Sequence, residues 1–117
     1  MDQGTARLFQ RGVELFNRGE FFECHEVLEG IWTRARGPER LFLQALIHFA
    51  VGCYHHQHRN QPGAERQLRK GLRKIAVYLP EFWGVRTSML RDEVTEVLQQ
   101  IERGETVQQF PRISGPW

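Results

Sequence analysis

Residues 41–54 read LFLQALIHFAVGCY, the longest apolar run of the chain, and only Gln44 and His48 interrupt it with strongly polar side chains. The run shows no two-residue alternation, so it is not a half-buried strand. It is also too short to cross a bilayer, which takes about 20 apolar residues. A segment apolar nearly all round its helical wheel marks a central helix with neighbours on several sides. Gly37-Pro38 just before it and Arg59-Asn60 after it set its limits, from just past Pro38 to about Arg59.

Working outward, every further segment has helical periodicity. The stretch upstream, residues 20–32, reads EFFECHEVLEGIW and predicts a helix from Phe21 to Arg36. A first helix spans about Thr5 to Arg18, with Phe9, Val13 and Phe16 on one face and Gly19 as its stop. Downstream, Gly63 to Leu79 forms a fourth helix, LPEFWG a turn, and Ser88 to Arg103 a fifth with Leu90, Val94, Val97, Leu98 and Ile101 as its stripe. The tail ETVQQFPRISGPW has no period and is expected to lie extended, pinned by Phe110 and Trp117. The fold class is all-α: about five helices in antiparallel hairpins, residues 1–104 as one domain and 105–117 as an extended tail.

A faint repeat of forty residues supports the hairpins. Gly12, Cys24, Leu28 and Ile31 recur as Gly52, Ala64, Leu68 and Gly71. Small residues at a helix crossing, followed by a large apolar one, pack in the manner of tetratricopeptide hairpins.

Composition restricts the setting. Hydrophobic residues make up 40% of the 117, enough for a core without disulfides, and 16 basic against 14 acidic residues give no strong pull toward nucleic acid or membrane. Cys24 and Cys53 fall in apolar segments and read as buried free thiols, which suits a cytoplasmic protein. No secretory signal opens the chain.

The chemistry-bearing residues sit on helices two and three. Beside the apolar arc of helix two lie His25 and Glu29, a turn apart, with Trp32 a turn beyond. On helix three, Gln44, His48 and His55 share a stripe with Leu41 and Val51. Folding the two helices antiparallel at Gly37-Pro38 pairs Trp32 with Leu41, Glu29 with Gln44, and His25 with His48. This predicts a buried polar cluster of His25, Glu29, Gln44 and His48 between helices two and three. The leading reading is a hydrogen-bonded network that fixes helix register or lines a small-ligand pocket, in a binding or scaffolding module. The alternative is a metalloprotein, a metal-dependent hydrolase or oxygenase, in which His25, Glu29 and His48 hold iron, zinc or manganese and Gln44 orients the carboxylate. A third reading, His25 as a general base oriented by Glu29, lacks a nucleophile. His55 stands about 10 Å from His48 along the axis, too far to share an ion, and is placed at a pocket mouth. A buried His25 donating to Glu29 predicts loosening near about pH 5.

His56 and His58 read as solvated residues at a helix C-terminus. Arg66, Arg69, Lys70, Arg73 and Lys74 on helix four read as a solvated face, and nucleic acid is set aside as a partner because no aromatics interleave. A small ligand, a protein partner or a second copy of the chain remain the candidate partners.

FNRGEFFECHEVLEGIW and LFLQALIHFAVGCYHHQHRNQPGAERQLRKGLRKIAVYLP resemble the domain of unknown function 309 family, small bacterial, archaeal and plastid proteins. The resemblance covers about residues 8 to 100. Its signature, an aromatic pair, H-E-x-x-E-x-x-W, a glutamine in the next helix and a later Gly-Ala, falls on Phe21-Phe22, His25, Glu26, Glu29, Trp32, Gln44 and Gly63-Ala64. The resemblance implies an all-α helical-hairpin domain and no particular reaction. Two departures stand out: relatives have Gly-Asn where this chain has Arg59-Asn60, and His48 is outside the signature.

Overall fold

The computed structural model describes residues 1–117 and contains five α-helices, with no strand. They are α1 (Gln3–Asn17), α2 (Phe21–Trp32), α3 (Pro38–Gln57), α4 (Gln61–Ile75) and α5 (Thr87–Glu102), with a short 3₁₀ turn at Ala76–Tyr78. Each helix packs on its neighbour in sequence, and α3, held by α2 on one side and α4 on the other, is the central one. Nine of its residues are buried, from Phe42 to Cys53, as expected of a segment apolar nearly all round.

The forty-residue repeat is a repeat of contacts. A Cβ on Gly12 would lie 2.9 Å from Leu28 Cδ2, and one on Gly52 would lie 2.6 Å from Leu68 Cδ2, so α1 meets α2 as α3 meets α4. The turns repeat as well. The Glu20 amide donates to the Leu15 carbonyl at 2.9 Å, and forty residues on the Asn60 amide donates to the His55 carbonyl at 2.8 Å. These bonds close each helix over a left-handed residue, Gly19 (φ 77°) in one and Arg59 (φ 58°) in the other.

Two helix ends differ from expectation. α2 stops at Trp32, four residues before Arg36, because Arg40 reaches back to take the Trp32 carbonyl at 2.8 Å and lays its guanidinium 4.0 Å from the Trp32 ring centre. α4 ends at Ile75 and tightens to 3₁₀, which puts the Tyr78 hydroxyl on the Pro38 carbonyl and its ring against Phe42. The LPEFWG turn contains a cis Leu79-Pro80 bond and a pair of backbone bonds between Phe82 and Val85.

The tail is anchored more deeply than Phe110 and Trp117 alone would hold it. Val107, Pro111 and Ile113 are buried, and Val107 and Ile113 belong to one core cluster of 28 residues that draws on all five helices. Asn17 clasps Ile113 on both sides, its Nδ2 donating to the carbonyl at 3.0 Å and its Oδ1 accepting from the amide at 2.8 Å. His56 is not a solvated cap: its Nε2 accepts from the Val107 amide at 3.1 Å, and burial pulls its pKa below the usual histidine value. No helix is long and apolar enough to cross a membrane.

Candidate functional site

The α2–α3–α4 face carries all six residues singled out from the sequence, but the structure sorts them into separate groups. Thr87 is the one polar residue in the buried core, so the His25, Glu29, Gln44 and His48 cluster is not buried. Nor is it a single cluster.

On α2, His25 Nδ1 donates to the Phe22 carbonyl at 3.0 Å, the only role a carbonyl partner permits. Its Nε2 lies 3.3 Å from Glu29 Oε2, an ion pair when the imidazole carries both protons. The Glu29 side chain is 51% exposed and has no other partner. The pair is therefore a surface contact along one helix, worth a few tenths of a kcal/mol.

Gln44 and His48 turn the other way, toward α4. Lys74 Nζ donates to Gln44 Oε1 at 2.9 Å and to His48 Nε2 at 2.7 Å, while His48 Nδ1 lies 2.7 Å from Gln67 Oε1. An ammonium only donates and an amide oxygen only accepts, so His48 is neutral, protonated at Nδ1 and accepting at Nε2. Burial lowers the His48 pKa, and the nearby Lys74 charge lowers it further. Burial also lowers that of Lys74, with Lys70 and Arg73 adding repulsion.

This departs from the expected antiparallel pairing of α2 with α3 because α4 competes for the same stripe. Gly71 lets α4 come close, with a would-be Cβ 2.5 Å from Phe49 and 3.0 Å from the Ala45 carbonyl. At that approach the long Gln67 and Lys74 side chains reach the polar stripe of α3 before α2 does. Only the spacing of Gln67 and Lys74, two turns apart on α4, signalled it in the sequence. Lys74 thus departs from the solvated basic face expected on α4, and Arg69 of that face is tied to Glu65 at 3.1 Å and to Glu102. The metal set fares similarly: no three His, Cys, Asp or Glu side chains come together as ligands, because His25 and Glu29 stay on the α2 flank while His48 is engaged on the α4 side.

What α2 and α3 do build together is an apolar recess of about 230 Å³, lined by Phe21, Phe22, His25, Val51, Tyr54 and His55. Phe22 packs on His25 and Tyr54, with ring centroids 5.2 and 5.5 Å apart, and His58 stacks on Tyr54 at 4.1 Å. His55, tied to Asn60 at 3.2 Å, is at the recess as expected. At the other end of the same face, Trp32 lies under Arg40, and Leu41 is exposed.

A family model described as Domain of unknown function (DUF309) matches residues 9–67, which hold α2, α3 and the recess. The chain belongs to this family. It is 31% identical over 93 residues to an uncharacterised protein, YpuF, of Bacillus subtilis (strain 168), an alignment covering 77% of this chain and 53% of YpuF. It is 25% identical over 100 residues to an uncharacterised protein of Aquifex aeolicus (strain VF5), covering 85% of this chain and 30% of that one. The chain thus spans about half the length of one relative and less than a third of the other.

Proposed function

We propose that this DUF309 domain is a binding module and that the α2–α3 recess is its contact point for a partner polypeptide. The observation that carries the reading is the recess itself. Its 230 Å³ falls below the roughly 300–1,000 Å³ of clefts that take whole small molecules, and suits one apolar or aromatic side chain. Phe22, an exposed large apolar residue at its rim, carries the apolar lining of Phe21, Val51 and Tyr54 out to the surface. His25 with Glu29 and His55 with Asn60 supply polar groups at the edge to orient what enters.

The burial of the residues that resemble the family signature supports the same reading. Phe21, Gly63 and Ala64 are buried and have packing work to do, whereas Phe22, Glu26 and Glu29 are exposed and lie outside the core. The buried free thiols of Cys24 and Cys53 fit a reducing, cytoplasmic setting for such a module.

Titration of ¹⁵N-labelled protein with phenol, a single-ring stand-in for a partner side chain, tests the recess. Saturable shifts confined to Phe22, His25, Val51, Tyr54 and His55, and lost in Val51→Trp, are expected. Shifts that never saturate, or that spread equally to exposed Val77 and Met89, would overturn the reading.

A further inference from the structure

The chain has 14 arginines and only two lysines, Lys70 and Lys74, one turn apart on α4. An exposed basic face can be built from either residue, but a nucleophilic side-chain amine can come only from lysine. Lys74 is the one whose nitrogen is held by named partners: His48 Nε2 at 2.7 Å and Gln44 Oε1 at 2.9 Å. His48 is oriented in turn by Gln67, whose Oε1 accepts from the Nδ1–H of His48 at 2.7 Å. A nucleophile, a base within hydrogen-bond reach and a third group fixing the base's tautomer form the arrangement that activates nucleophiles generally.

We propose that Lys74 is a reactive amine that forms an imine with an aldehyde or ketone, with His48 as its proton acceptor and Gln67 as the residue that positions His48. The site is separate from the α2–α3 recess and does not depend on it. In the reaction the Nζ lone pair forms a C–N bond to the carbonyl carbon while the C=O π pair moves to oxygen. His48 Nε2 takes one proton from the nitrogen and delivers it to the alkoxide, giving the carbinolamine, then relays the second nitrogen proton to the resulting hydroxyl. That hydroxyl leaves as water as the C=N bond forms, so the step consumes no oxidant or reductant.

The surroundings bring the neutral amine this needs closer than at an ordinary lysine. Burial, then the charges of Lys70 and Arg73, all lower the Lys74 pKa, and no carboxylate pairs with Lys74 to oppose them. From α3 it faces only Gln44 and a neutral His48. The same two cations favour a carbonyl compound that bears a carboxylate or phosphate.

Lys70 makes the test internally controlled. The full chain is treated with pyridoxal or pyridoxal 5′-phosphate between about pH 7 and 9, below the ordinary lysine pKa. Imines are trapped with borohydride, and Lys70 and Lys74 labelling is read by peptide mapping. Faster labelling at Lys74 than at Lys70 is expected, more so with the phosphate, and the advantage should vanish both in His48→Gln and in urea-unfolded protein. Labelling of Lys74 no faster than Lys70 would overturn the proposal, as would an advantage that survives unfolding. An advantage kept in folded His48→Gln would remove His48 from the mechanism and with it the proposal as stated. Equal rates for the two aldehydes would overturn the anionic preference.

Discussion

Arg59 closes α3 at φ 58°, in the place where Gly19 closes α1 at φ 77°. A residue with a Cβ costs about 1–2 kcal/mol in this region, while glycine adds about 0.5–1 kcal/mol of unfolded-state entropy. Arg59→Gly is therefore expected to raise stability by about 0.5–1 kcal/mol, seen as a higher urea midpoint at unchanged slope. A lower midpoint would show that the Arg59 side chain contributes more than its backbone costs. Glu29 supplies a second test. The sequence placed it in a buried network, where truncation strands partners at about 1–3 kcal/mol. With half its side chain in water and His25 as its one contact, Glu29→Ala should instead cost about 0.5 kcal/mol or less. A loss well above that would return Glu29 to a structural role. The periodicity of α2 was legible, but whether Glu29 lies inside its apolar arc or just outside it is a question of one flank of one helix. A wheel does not resolve that without knowing which neighbour comes closest.

Helix pairing was readable wherever small residues marked the crossings. Gly52 and Leu68 repeat Gly12 and Leu28 because both hairpins need a gap for a leucine. A methyl at Gly52 meets Leu68 at 2.6 Å and the Ala64 carbonyl at 3.3 Å, whereas one at Gly30 meets nothing within 4 Å. Gly52→Ala should thus destabilise by about 1–3 kcal/mol, and Gly30→Ala, in the exposed face of α2, should stabilise by about 0.5–1 kcal/mol. Equal effects would deny the close crossing of α3 and α4. The same crossing moves acid sensitivity from His25 to His48. Burial and Lys74 hold the His48 pKa below its ordinary value, so the folded state takes up this proton less readily than the unfolded chain. Stability should be full above about pH 6.5, the unfolded histidine value, fall as pH drops below it, and level off once the folded pKa is passed. His56, partly buried, adds in the same direction. Thermal melts across this range should show a steeper acid decline in the native protein than in His48→Gln. Parallel declines would mean that another group carries the effect. No pairing of α2 with α3 alone could anticipate this, because the partners of His48 come from α4.

At the scale of the whole molecule, the tail makes the five helices one body. It runs back over α1 and α5, where Asn17 holds Ile113, Glu93 accepts from the Arg112 amide at 2.9 Å, and the Ser114 carbonyl takes the Arg86 amide at 2.9 Å. Phe110 meanwhile covers the buried Phe21 of α2, with ring centroids 5.2 Å apart. The sequence showed aromatic residues in a segment without period, and aromatics suggested anchors. The aliphatic and polar anchors were hidden, because an extended strap buries single side chains at irregular intervals and its hydrogen bonds go to residues 19 to 96 positions away. Removing residues 105–117 takes away two fully packed aliphatic side chains, Val107 and Ile113, worth about 1.5–3 kcal/mol each. That is a large part of the roughly 5–15 kcal/mol that holds a domain together. The shortened chain is expected to keep its helical far-ultraviolet signal at low temperature but to melt early and with weak cooperativity. Asn17→Ala isolates the clasp from the packing: leaving both Ile113 backbone groups unpaired should cost about 1–3 kcal/mol, with the tail still present. If the truncated chain melts within a few degrees of the full one, the strap is an accessory. If Asn17→Ala alone reproduces most of the loss, the clasp rather than the buried aliphatics locks the tail onto the helices.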